Sequence, residues 1–146
     1  MGGADSGEIF VFEVDGDLEK IEIERKMIRT NTAIIRVQYV DGKIVSANAD
    51  KYLTIWSIKG ELINNFLVEL QVDKILGVGK FCLIFEKFGK QMDVMDLQSQ
   101  LRRGWLDCEG SVIDAVVFKE KENNNILATC SLEKKLKLWN IEAMKC

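Results

Sequence analysis

Val45-Ser46-Ala47-Asn48-Ala49-Asp50-Lys51-Tyr52-Leu53-Thr54-Ile55-Trp56 has a second version further along the chain. It overlays Leu127-Ala128-Thr129-Cys130-Ser131-Leu132-Glu133-Lys134-Lys135-Leu136-Lys137-Leu138, and a one-residue shift brings Trp56 onto Trp139. Counted back from each tryptophan, a hydroxyl residue stands ten positions earlier, Ser46 and Thr129, and an acid six earlier, Asp50 and Glu133. Weaker versions end at Phe12, within Ile9-Phe10-Val11-Phe12-Glu13-Val14, and at Met95, within Met92-Asp93-Val94-Met95-Asp96-Leu97. The anchors 12, 56, 95 and 139 are therefore 44, 39 and 44 residues apart.

Outward from these segments, short apolar and β-branched runs alternate with Gly, Asp and Asn, and no segment holds an apolar face at helical spacing for long. Strands are expected at Ile9 to Val14, Ile34 to Val40, Lys43 to Ala47, Leu53 to Ile58, Phe81 to Phe85, Met92 to Leu97, Ala115 to Phe118, Ile126 to Cys130 and Leu136 to Ile141. Leu18 to Glu24 fits a charged helix or, by its alternation after Lys20, a strand with one wet face, and we read it as the strand. The expectation is an all-β domain. A repeat of about 40 to 45 residues is the spacing of four-stranded propeller blades.

On these residues the chain resembles the WD40-repeat family, whose β-propellers stack four-stranded blades about an axis. Residues 43 to 60 and 126 to 142 carry the resemblance, with weaker support over nearly all the rest. In that family a Ser or Thr of the second strand, an Asp of the following turn and a Trp of the third strand join a His in a hydrogen-bonded structural set. Ser46, Asp50 and Trp56 match three of the four positions, and Thr129, Glu133 and Trp139 match with Glu in place of Asp. The chain departs from the pattern in having no Gly-His dipeptide, no proline, and Phe12 and Met95 where Trp is usual.

The resemblance implies a WD40-like propeller segment forming one repeat domain, 1–146. It has two complete four-stranded blades, 34–70 and 71–110, and partial blades at both ends, 1–33 and 111–146. About three blades are fewer than the roughly 4–8 that close a propeller. The chain is therefore expected to be part of a longer propeller or a half-ring completed by another chain.

Composition narrows the chemistry. The chain has 146 residues, 47% hydrophobic and 29% charged, which suits a globular core. With no histidine, Ser-His-Asp and Cys-His catalysis and every His-containing zinc site are excluded. Cys82, Cys108, Cys130 and Cys146 contain no C-x-x-C pair, so they read as buried small hydrophobes. A formal charge of -3 gives no global attraction to nucleic acid or anionic membrane. No stretch of 18 apolar residues and no signal peptide is present, so no membrane association is expected and the location reads as intracellular, cytoplasmic or nuclear.

Several short motifs have plainer readings. Met1-Gly2-Gly3-Ala4-Asp5-Ser6 fits the simple myristoylation pattern at Gly2 but also reads as a strand end and its turn, with no basic cluster to reinforce one acyl chain. Gly77-Val78-Gly79-Lys80 lacks the phosphate-loop spacing and reads as a turn. Asp15-Gly16-Asp17 and Asp41-Gly42 read as hairpin turns. Lys119 to Asn125 has the composition of a solvated loop.

Arg102, Arg103 and Trp105 combine the side chains enriched in interface anchors, which makes them the candidate partner-binding residues. The reading we favour for this segment is nevertheless an outer strand with solvated arginines and a tryptophan packed between blades. The leading functional expectation is a non-catalytic protein–protein interaction scaffold within a larger assembly. Its partners would be other proteins, including a second copy or another chain that completes the propeller, and it would need no cofactor and no metal. Two alternatives are a scaffold subunit of an RNA-processing or chromatin complex with nucleic-acid contacts, and an enzyme using Asp93 with Asp96 or Asp15 with Asp17.

Overall fold

The computed structural model describes residues 2–3, 7–14, 21–121 and 124–146. Among them every regular element is a β-strand, and the strands make four sheets. The first holds β1 (Gly2–Gly3), β2 (Glu8–Val14) and β3 (Ile21–Arg29), in the order β1-β2-β3. The second holds β4 (Ile34–Val40), β5 (Lys43–Asn48), β6 (Tyr52–Ser57) and β7 (Leu62–Leu67), in sequence order. The third holds β8 (Lys74–Val78), β9 (Phe81–Phe85), β10 (Gln91–Asp96) and β11 (Leu101–Asp107), again each beside the next. The fourth holds β12 (Val112–Lys121), β13 (Asn124–Ser131) and β14 (Leu136–Asn140). In chain order, two four-stranded sheets thus come between two sheets of three described strands, each an up-and-down meander.

The chain divides into two compact units, residues 1–38 with 42–69 and residues 39–41 with 70–146. In the first, Ile9, Ile34, Ile44 and Trp56 form a core cluster with Val37 against it. In the second, Val78, Phe81, Leu83, Phe85, Met92 and Val94 from the third sheet cluster with Ala115, Leu127 and Trp139 from the fourth and with Ile141, just after it.

The strands legible in the sequence are mainly the central ones, and burial explains why. β9 is buried at every position, and β5, β6 and β10 nearly so. Strands covered on both faces read as continuous apolar runs. The outer strand β7, Leu-Ile-Asn-Asn-Phe-Leu, is mostly exposed and has no such run, so it was not expected; neither was the short β8. Lys119 to Asn125 also departs from its loop reading. Lys119 pairs with Asn125 and Lys121 with Asn124, so the β12–β13 hairpin continues through polar residues held by backbone pairing. Asp41 and Gly42 both have positive φ, 48° and 72°, the combination of a type I′ hairpin turn. Asp15-Gly16-Asp17 and most of the Gly2 motif lie outside the described residues.

Candidate functional site

The two tryptophan repeats have the same local geometry. Trp56 Nε1–H donates to Ser46 Oγ at 3.0 Å, and Trp139 Nε1–H donates to Thr129 Oγ1 at 3.0 Å. All four residues are buried. Register places them alike: Ile44 faces Trp56 and Ser46 faces Thr54, while Leu127 faces Trp139 and Thr129 faces Lys137. Each hairpin closes through the same turn. Lys51 N–H donates to Asn48 O and Lys134 N–H to Ser131 O, both at 3.1 Å, and Lys51 and Lys134 take positive φ of 67° and 59°.

The acids differ. Asp50 Oδ1 accepts from Tyr52 N–H at 3.4 Å and stays exposed within its own turn. Glu133 Oε2 reaches outside its turn to accept Ser111 N–H at 2.9 Å, while Leu132 N–H donates to Ser111 O at 3.0 Å. The Ser111 N–H holds the Glu133 carboxyl below its ordinary range. Gly110 makes room for this: a Cβ there would lie 2.3 Å from Glu133 Oε2. Sequence reasoning also missed Asn48, whose buried Oδ1 stands 3.4 Å from Ser46 Oγ and extends the Trp56 hydrogen bond by one member.

The third sheet lacks the pair altogether. Met95 faces Cys82 and Asp93 faces Ile84, so Ile84 occupies the register position of Ser46 and Thr129, and Met95 that of the tryptophans. Both are buried. A buried donor and its acceptor have thus been replaced together by apolar groups, a change that leaves nothing unsatisfied and can be nearly neutral.

The strand β11 carries the candidate surface. The segment is an outer strand, as favoured from the sequence, but Trp105 is 56% exposed, so it does not pack between sheets and the favoured reading is corrected on that point. Arg102 is not merely solvated either: its Nη2 donates to Asp93 Oδ1 at 2.7 Å, and its guanidinium carbon lies 5.8 Å from the centre of the Trp105 ring. The pairing of β10 with β11 slips between Val94 and Met95, leaving Arg103 as the extra residue of a bulge beside Gly104, whose φ is 137°. Leu101, Arg102, Arg103 and Trp105 are all exposed. Asp93 therefore fixes Arg102 against the indole, and the strand presents a guanidinium, an aromatic face and an aliphatic chain at a sheet edge.

Of the carboxylates weighed for catalysis, Asp93 and Asp96 are tied into structure, and Asp15 and Asp17 lie outside the described residues. Asp93 is paired to Arg102, and Asp96 accepts the Gln98 and Ser99 N–H groups at 2.9 and 3.0 Å with Lys80 Nζ 3.5 Å away. Burial works to raise the Asp96 pKa, but the Ser99 and Gln98 N–H groups and the Lys80 ammonium together lower it. A pocket of about 40 Å³ lies between Val78, Lys80, Phe81, Asn125, Asn140 and Glu142, room for a few waters and far below the size of an organic-ligand site. Of the cysteines, Cys82 and Cys108 are buried, Cys130 is partly covered and Cys146 is exposed, so the core reading holds for the first two only. Among the described residues no helix is long and apolar enough to cross a membrane.

No protein-family model matches the sequence, and no curated protein matches it. Solved structures do. The computationally designed Ika4 protein aligns with 94% of this chain and 82% of its own, at 18% identity and a TM-score of 0.67. BBS1N, solved in complex with ARL6DN, aligns with 96% of this chain at 16% identity and a TM-score of 0.73, and the WD40 repeats of RRP9 with 83% at 17% identity and 0.65. This chain spans 45% of BBS1N and 39% of the RRP9 chain, under half of each. At such identities the likeness establishes the fold: these sheets are blades of a β-propeller.

Proposed function

We propose that the chain is a divergent WD40-type repeat segment acting as a non-catalytic protein-interaction scaffold in a larger intracellular assembly. The observation that carries this is β11, where an exposed tryptophan, an arginine whose guanidinium lies over its ring and a second exposed arginine sit on a sheet edge braced by the Asp93 ion pair. Aromatic and arginine side chains dominate interface energetics when they become buried against a partner. The paired Trp56–Ser46 and Trp139–Thr129 hydrogen bonds support the WD40 assignment, as structural positions that hold blades rather than perform chemistry. BBS1N, a propeller-fold neighbour, was solved bound to another protein, which supports the interaction reading by analogy of fold. The test is affinity capture with the intact chain against an Arg103→Glu, Trp105→Ala variant. A stoichiometric protein partner retained by the first and lost by the second, with unchanged melting, is expected. Absence of any stoichiometric partner would overturn the reading.

A further inference from the structure

The second unit brings two of its cysteines to one corner. Cys108, in the connection between β11 and β12, is buried in the core cluster that holds Trp139, and Met144 packs against the same cluster. Asn140 and Lys145 exchange two backbone hydrogen bonds, of 2.9 and 3.2 Å, so the chain turns after β14 and comes back antiparallel beside it. The next position of that ladder sets Cys146 across from Trp139, and residues opposite one another in an antiparallel ladder share a face. Cys146 is exposed, whereas Cys108 is shielded from water.

Lys137 ties this corner together. Two residues before Trp139 in β14, it lies on the same face. Its Nζ is 2.8 Å from Oε2 of Glu109, the neighbour of Cys108 in sequence, and 5.4 Å from the centre of the Trp139 ring. Both sulfurs lie within electrostatic reach of its ammonium and of each other. Burial pushes the Cys108 thiol up to about 11; Lys137 works against this, while charge on Asp107 and on Cys146 adds to it. The other two cysteines are placed elsewhere. Cys82 stands opposite Met95 within the third sheet and outside that cluster. Cys130 alternates to the other face of β13, opposite Leu136, with its thiol donating to Asp114 O at 3.6 Å.

We propose that Cys108 and Cys146 form a reversible disulfide, a redox clip that fastens the segment after β14 to the β11–β12 corner. The oxidant is a hydroperoxide such as hydrogen peroxide. It meets the exposed Cys146 first: the thiolate attacks one peroxide oxygen, the O–O bond breaks, and Cys146 becomes a sulfenic acid while the departing hydroxide takes up the proton that the thiol gave up. The Cys108 thiolate then attacks the sulfenic sulfur, forming the S–S bond and expelling a second hydroxide, which leaves as water with the Cys108 proton. Two thiols and one peroxide thus give one disulfide and two waters, the sulfurs losing the two electrons that the peroxide gains. Lys137 steadies each thiolate as it forms. A dithiol reductant reverses the clip by exchange, its own two sulfurs ending as the disulfide. The bond joins positions 38 apart in the chain and turns a rung held by two hydrogen bonds into a covalent attachment. It is independent of the scaffold reading and adds a response that β11 does not supply.

The test treats the intact chain, reduced and then freed of reductant, with a slight excess of hydrogen peroxide and maps its peptides by mass spectrometry without reduction. A peptide joining Cys108 to Cys146 is expected, about 2 Da lighter than its two parts together, in a yield that does not depend on protein concentration and is reversed by dithiothreitol. The oxidised chain should melt roughly 5 °C or more above the reduced one, because the bond closes a long loop. Cys146→Ser changes an exposed side chain, so the reduced variant should melt like the reduced wild type, while the linked peptide and the rise in melting temperature both disappear. Lys137→Gln should slow the linkage about threefold. Cys130→Ser should leave it unchanged. Cys146 carried on to a sulfinic acid with Cys108 still free overturns the proposal, as does a bond from Cys146 to Cys130 or to a second chain.

Discussion

Trp56 and Trp139 each combine a large buried ring with one hydrogen bond, and these two contributions can be separated by substitution. Trp56→Ala opens a cavity and is expected to cost roughly 3–5 kcal/mol, read as the shift in denaturant midpoint. Thr129→Val keeps the volume but strands the Trp139 N–H in the core, for about 1–3 kcal/mol. Adding Trp139→Phe removes that orphaned donor, so the double variant should cost less than the sum of the two single ones, and strict additivity would contradict the hydrogen bond. The third sheet already carries such a paired replacement in Ile84 and Met95. Thiol chemistry offers an independent check. Burial pushes the Cys82 thiol up to about 12 and Cys108 up to about 11. Cys146 should therefore react first with a thiol reagent at neutral pH, and labelling of Cys82 in the folded chain at a comparable rate would contradict its placement. The hydroxyl, acid and tryptophan positions were legible because they recur at fixed spacing. Asn48 and the Glu133 contact with Ser111 were not, since each occurs in one repeat alone.

At the scale of elements, turns and outer strands separate what a sequence can display from what it cannot. The Asp41-Gly42 turn announces itself because only a few residues tolerate two successive positive φ values. Gly42 has open space where a Cβ would project, so Gly42→Ala meets backbone strain alone and should lower stability by about 1–2 kcal/mol. At Gly7, φ is 72° as well, but a Cβ would lie 2.4 Å from Thr30 O. Gly7→Ala must therefore also separate the start of β2 from Thr30, and its measured loss should exceed that of Gly42→Ala; equal losses would deny the close approach of these segments. Outer strands were poorly legible for the opposite reason. β7 and β11 are each covered on one side at most, so their residues carry little apolar signal, and Trp105 in particular reads in sequence like any core tryptophan. The pairing of Lys74 with Asp114 joins β8 to β12 across 40 residues, and one sequence holds no mark that links two such ordinary charged residues.

Over the molecule, charge sets the pH range in which the second unit is held together. Asp114 is held below its ordinary pKa by the Lys74 hydrogen bond and the Ala115 N–H, and Glu133 by the Ser111 N–H. Asp96 is lowered as well, the Ser99 and Gln98 N–H groups and Lys80 outweighing its burial. For each, the folded pKa lies below the unfolded one, so the folded state binds fewer protons than the unfolded state in the interval between them. The stabilisation is complete above the unfolded value, about 4, and is lost as pH falls through the folded values. Lys137 has the opposite sign. Its hydrogen bond to Glu109 raises its pKa, so its contribution is present below the ordinary lysine value and disappears as pH rises through the folded one. The melting temperature of the second unit should therefore hold level at neutral pH and fall below about pH 4. Asp114→Asn should lower the neutral plateau and flatten the acid slope together, because it deletes one of the groups that must be protonated. A variant that lowers the plateau but keeps the full slope would mean that Asp114 contributes packing rather than charge. A wild-type melting temperature that does not change between about pH 7 and 3 would contradict all three carboxylate contacts at once.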